Sequence, residues 1–139
     1  MKKRILLGLA VMILIQFSAE KLMLTFGAGQ SIYGNPPSII AALAAAFAGG
    51  WVAQRGFVVP ALLLWAVLWC TVVYLLYRIA APVDPAALAS IFRHNVLAIA
   101  CSGAAITFGA ALGQVLSQRR ARRNLAALQA YTGFVDPYL

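Results

Sequence analysis

The sequence predicts an all-α integral membrane protein, with four transmembrane helices in an up-down-up-down bundle and both termini cytoplasmic. Three observations carry that expectation. The 139 residues are 63% hydrophobic and only 10% charged, against roughly half apolar and a quarter charged in soluble domains. The apolar residues gather into four long runs separated by glycine, proline and polar punctuation. The basic residues stand at the ends of those runs rather than along them.

The first run follows Lys2-Lys3-Arg4. From Ile5 to Ala19 a helix would reach only about 22 Å, too short for a hydrocarbon core of about 30 Å. From Ile5 to Phe26 it reaches about 33 Å. Span 1 is therefore expected at 5–26, running through Glu20-Lys21 and stopping at Gly27-Ala28-Gly29. A cleaved signal peptide is disfavoured: a cut after Ala19 would put Phe17 where a small residue is needed.

Gly34-Asn35-Pro36-Pro37-Ser38 is a turn and helix-start signal, and span 2 is expected at 39–54. Arg55-Gly56 makes a tight turn into span 3, expected at 57–79, so spans 2 and 3 read as an antiparallel hairpin. Pro60 falls in the first turn of span 3, where a missing N–H is harmless. Trp65, Trp69, Tyr74 and Tyr77 enrich this span in aromatics. Tyr74, Tyr77 and Arg78 suit the far interface.

Ala81-Pro82-Val83-Asp84-Pro85 interrupts the chain, with Asp84 a good N-cap and Pro85 a good first helical residue. Residues 85–94 read either as a short interfacial helix or as the leading turns of span 4, itself expected at 95–116. A four-helix transmembrane domain at 1–118 is then followed by a basic cytoplasmic tail at 119–139. Leu125, Leu128 and Tyr131 form one helical face of that tail, suited to a membrane surface or a partner.

Orientation follows from the eleven Lys and Arg residues. A cytoplasmic N-terminus puts eight of them inside: Lys2, Lys3, Arg4, Arg55, Arg119, Arg120, Arg122 and Arg123. Lys21, Arg78 and Arg93 fall outside. This is the positive-inside distribution. The net charge of +8 is thus assigned to topology and to anionic headgroups at Arg119, Arg120, Arg122 and Arg123, and no nucleic-acid partner is expected. The charge bias and short loops point to a bacterial inner membrane.

Two stripes of small residues stand out. Ala41, Ala45, Gly49 and Ala53 lie four apart on span 2, and Cys101, Ala105, Gly109, Gly113 and Ser117 lie four apart on span 4. Residues at that interval share a helix face. Lipid gives no hydrophobic drive to helix association, so close backbone approach through small residues supplies the adhesion. These seams are expected to face other helices, in the same chain or in a partner. Thr71, Ser102 and Thr107 are expected to return their hydroxyls to their own helices.

The polar candidates centre on span 1. Glu20 lies about 22 Å from Ile5 along the helix, near the outer rim, and Gln16, Met12 and Gly8 continue its stripe. A charge is less costly there than at the midplane. Arg78, Arg93 and His94 are the cations expected at that depth. Glu20 is therefore an interfacial ion pair with one of them, a substrate-, proton- or ion-binding carboxylate with Gln16 beside it, or simply the lipid-facing end of the span. The one histidine and the two scattered cysteines, Cys70 and Cys101, give no metal or disulfide pattern, so no metal and no cofactor is expected. No nucleophile–base set or phosphate loop is present, so an enzyme is not expected. The expected role is a small non-enzymatic membrane component, an accessory, assembly or structural subunit packing through its seams. A membrane-protein partner or a homo-oligomer would accompany it. The alternative is a small oligomeric transporter or channel using Glu20.

Overall fold

A computed structural model describes residues 2–25 and 36–132. The expected end of span 1 at Phe26 to Gly29, the turn at Gly34-Asn35 and the terminal segment 133–139 lie outside the described residues. The described residues form four helices and no strand: α1 (Lys2–Thr25), α2 (Pro36–Ala53), α3 (Val58–Ala80) and α4 (Ala87–Thr132). Helices α1, α3 and α4 are long and apolar enough to cross a membrane, while α2 is a shorter apolar helix. Its 18 residues extend about 27 Å. Large apolar side chains such as Leu14, Phe17, Leu63, Val67 and Leu97 are exposed, which suits a surface solvated by lipid.

The helix boundaries follow local chemistry. Helix α2 ends because Gln54 and Gly56 both take positive φ, 66° and 68°. Glycine adopts that region freely, whereas glutamine is strained there. Helix α4 starts behind Asp84, whose Oδ1 accepts the Ala86 N–H at 2.8 Å, an N-cap contact. From Ala87 onward nothing interrupts it. It runs 46 residues, roughly 69 Å. Residues 85–94 are therefore not a separate interfacial helix. All but the two prolyl-turn residues are the leading turns of α4. The basic segment after Arg119 belongs to the same helix.

Helix α2 is the hub on one side and α4 on the other. They pack closely along their length, α1 lies against α2, α3 lies against α4, and α1 and α3 meet at only a few positions. The tight turn joins α2 to α3, yet their backbones do not run side by side among the described residues. The hairpin expected from the turn is corrected accordingly: the two helices diverge from Gln54–Phe57, because α2's packing faces are taken by α1 and α4.

Both small-residue stripes are buried inside the chain, against different neighbours. On α4, a Cβ at Gly109 would strike the Leu43 carbonyl oxygen and one at Gly113 the Phe47 carbonyl oxygen. A Cβ at Gly50 would strike the Ala110 carbonyl oxygen. Such backbone approach is what small residues permit. The face of α2 meeting α4 is thus Leu43, Ala46, Phe47 and Gly50. The Ala45, Gly49 and Ala53 stripe turns instead toward α1 and Phe57. A Cβ at Gly8 would lie 2.7 Å from the Gly49 carbonyl oxygen and 3.1 Å from Ala53 Cβ. The Phe57 ring, fully buried, fills the notch that Gly8 and Gly49 leave.

The turn is held by three side chains from two helices, α1 and α4. Arg4 Nη1 donates to Gln54 Oε1 at 2.5 Å, and Gln118 Nε2 donates to the Gln54 carbonyl at 2.7 Å. The Gln114 carboxamide oxygen, turned toward α3, accepts the Phe57 N–H at 2.5 Å and the Val58 N–H at 3.1 Å. One residue thus satisfies two of the orphan donors at the start of α3, and its neighbour one turn on satisfies a carbonyl at the end of α2.

Candidate functional site

From mid-bundle toward the end remote from this turn, a crevice of about 380 Å³ opens among the helices. Its floor is Met12, Ala42 and Ile106, all buried. Its α1 wall carries Gln16 and Glu20, one turn apart on the stripe that begins with Gly8 and Met12. Gly8 and Met12 are buried and Gln16 and Glu20 half-buried, so this stripe faces inward along its whole length. Ser38, in the first turn of α2, lies at the same end.

The opposite wall is built from α3 and α4. Trp65 Nε1 and Trp69 Nε1 donate to Ser102 Oγ at 3.0 and 3.1 Å, and Ser102 Oγ donates to the Ile99 carbonyl at 3.1 Å. Two indoles four residues apart on one helix face thus converge on one hydroxyl, as buried tryptophan N–H groups require. Gly103 gives Trp65 its room, since a Cβ there would lie 3.0 Å from the ring. The expectation for Ser102 covered only the bond to its own helix. The sequence signal for the rest was the Trp65/Trp69 spacing, which asks for an acceptor on a neighbouring helix.

The crevice has a mouth between α1 and α3. Ile13 and Phe17 from α1 and Leu68 from α3 line it and are also exposed, at 44%, 63% and 53%. That gap is where the two helices scarcely touch.

The expected cations are not brought to Glu20. Arg78, Arg93 and His94 are exposed, and among the described residues none pairs with it. His94 Nδ1 donates instead to the Ser90 carbonyl of its own helix at 2.8 Å. Among the described residues neither Glu20 nor Gln16 has a hydrogen-bond or ion-pair partner. Thr71 and Thr107 bond back to Val67 and Gly103, each at 2.8 Å. Cys70 is exposed and Cys101 half-buried, both as free thiols. No group of three or more metal-ligating side chains occurs among the described residues.

At the other end Arg119, Arg120, Arg122 and Arg123 are all exposed. The Arg120 guanidinium stands 6.0 Å from the Trp51 ring centroid, within cation–π range.

Fold and crevice together define a class: an all-helical membrane-type chain with a polar-rimmed cleft between its helices. Comparison with protein-family models, curated proteins and solved structures finds no match for this chain.

Proposed function

We propose that this chain is a small non-enzymatic transporter of the inner membrane that takes an amphipathic substrate into the crevice, with Glu20 as its polar contact. The observation that carries this reading is the placement of Glu20 and Gln16 together in one crevice without a cation partner among the described residues. A carboxylate serving only as an interfacial anchor would be neutralised by Arg78 or Arg93. One that must receive a ligand is left accessible.

The proposed topology is up-down-up-down with both termini cytoplasmic. Contact order supports the alternation. Arg4 meets Gln54 and Gly8 meets Gly49, in opposite order along α1 and α2. Gly109 meets Leu43, Gly113 meets Phe47 and Gln118 meets Gln54, in the same order along α4 and α2. Phe57 meets Gln114 and Trp65 meets Ser102, in opposite order along α3 and α4. The charge count supports putting the clamped turn inside, and with it the crevice in the outer half of the bilayer.

The test is flux in proteoliposomes. Amphiphiles with positive, neutral and negative headgroups are offered to the parent and to Glu20→Gln. Flux of one class that is lost in Glu20→Gln is the expected result. Equal leakage through both proteins and protein-free vesicles would remove the transporter reading.

The accessory-subunit reading retains one supporting observation. The small-residue seams are spent inside the chain, but α4 continues past Arg123 with Leu125 and Leu128 exposed, at 60% and 62%. A partner seated there would co-purify stoichiometrically and be lost in Leu125→Glu/Leu128→Glu.

A further inference from the structure

We propose that the crevice takes its ligand sideways from the outer leaflet, and that this ligand is an aliphatic chain bearing an amine, whose ammonium group is held by Glu20. The inference rests on the reading of the crevice as a substrate site and adds the ligand's chemistry and its route.

The route follows from where the lining is open. The floor residues Met12, Ala42 and Ile106 are buried, whereas the lining residues Ile13, Phe17 and Leu68 are exposed on the α1/α3 side. In a bilayer that side is acyl chain, not water. A ligand entering there must be soluble in lipid. The apolar lining suits such a chain, with Met12, Ile39, Leu64 and Val72 among its residues. The volume of about 380 Å³ falls at the small end of ligand pockets.

The headgroup chemistry follows from which polar atoms the crevice offers. On the α3/α4 wall the donors are consumed: both indole N–H groups and the Ser102 hydroxyl make the bonds described above. What stands on the α1 wall is the Glu20 carboxylate, whose negative charge and lone pairs call for a cationic donor, and one turn below it the Gln16 carboxamide, which offers an acceptor oxygen and two N–H donors. Side chains at that spacing are neighbours on the helix surface. A primary ammonium brings three donors and no acceptor, so it matches this pair, whereas a phosphate or carboxylate headgroup would be repelled. Glu20 also lies near headgroup depth, about 22 Å from Ile5, so a lipid amine reaches it without leaving its normal level. Two sources share this chemistry, an aminophospholipid of the bilayer and a single-chain amphiphilic amine.

The test uses Trp65 and Trp69, which line the crevice, as reporters in a Trp51→Phe background that silences the third tryptophan. Reconstituted protein is titrated with bromine-labelled dodecylamine and dodecanol analogues. In parallel it is placed in vesicles whose brominated phospholipid has an ethanolamine, choline or glycerol headgroup. The expected result is quenching at about tenfold lower concentration for the amine than for the alcohol, with the preference lost in Glu20→Gln. Glu20→Lys, which keeps a long polar side chain at a half-buried site, should reverse the preference toward the anionic glycerol headgroup. Preference for the ethanolamine lipid, or for dodecylamine alone, identifies which source the crevice serves. Quenching that is equal across headgroups overturns the amine assignment and leaves the crevice reading standing. Absence of quenching by every brominated chain overturns both.

Discussion

Gly113→Ala isolates the contact on which the whole arrangement depends. In an isolated helix the change is favourable by about 1 kcal/mol, since alanine is the better helix former. Here the added Cβ would lie 2.8 Å from the Trp51 backbone nitrogen and 3.1 Å from the Phe47 carbonyl carbon, and closer still to the Phe47 oxygen. These are backbone atoms of α2 and cannot rotate away. Restoring ordinary contact at about 3.4 Å needs a separation of about 0.6 Å at the Trp51 nitrogen and more at the Phe47 oxygen. A gap of that order forfeits about a quarter to a half of each dispersion contact along the seam. Overpacking of this kind costs about 1–3 kcal/mol, so the net effect is destabilising despite the better propensity. The half-buried Cys101 thiol supplies the assay. In a Cys70→Ser background its reaction with a fluorogenic maleimide during heating in mild detergent reports unfolding. The midpoint should fall for Gly113→Ala. Gly56→Ala is the comparison, because its Cβ would meet nothing and its cost is only the strain of positive φ, roughly 1–2 kcal/mol. A Gly113→Ala midpoint equal to or above the parent would refute the close-approach argument.

Other expectations follow from the same geometry. Ser102→Ala removes the common acceptor of Trp65 and Trp69. It should cost about 1–3 kcal/mol and change the indole emission, and unchanged emission would mean the paired bonds do not exist. Gln114→Leu uncaps α3, so hydrogen exchange at the Phe57 and Val58 amides should accelerate while exchange in mid-α3 does not. Replacing Arg119, Arg120, Arg122 and Arg123 with glutamine should weaken affinity for anionic vesicles of the soluble tail peptide by about 1 kcal/mol per residue near the surface. In the intact protein stability should fall by no more than about 1 kcal/mol, the loss coming from the Arg120–Trp51 contact. A large loss of stability would instead mean that these exposed residues hold the helices together.

Much of the fold was legible because glycine, proline and charge punctuate the apolar runs. Arg55-Gly56 marked its turn, and Asp84-Pro85 marked the start of α4 to within two residues. Two features were not legible for definable reasons. The turn fixes that α2 and α3 are joined, but neighbour choice is set by which faces fit. Helix α2 is so rich in alanine that a second small stripe, Ala42, Ala46 and Gly50, runs beside Ala41, Ala45, Gly49 and Ala53. Periodicity alone could not say which stripe meets α4. The helical pattern of the tail was legible, since no helix breaker stands between Gln118 and Thr132, but the change in polarity at Arg119 masked that it forms one helix with span 4. At the site, Glu20 and Gln16 were visible as an inward stripe. The wall of Trp65, Trp69 and Ser102 opposite them depends on a tertiary pairing that spacing on one helix does not reveal.

The most direct measurement is the environment of position 16 in a bilayer. A nitroxide attached to Gln16→Cys, in a background with Cys70 and Cys101 replaced by serine, is compared with one at the buried floor position Met12→Cys. Electron paramagnetic resonance then measures collisions with oxygen, which concentrates in lipid, and with a nickel chelate, which stays in water. A crevice open to the outer leaflet predicts frequent oxygen collisions at position 16 and few at position 12, with the position-16 label immobilised when dodecylamine is added. Protection from both reagents at position 16, equal to that at position 12, would show a closed bundle and contradict the account.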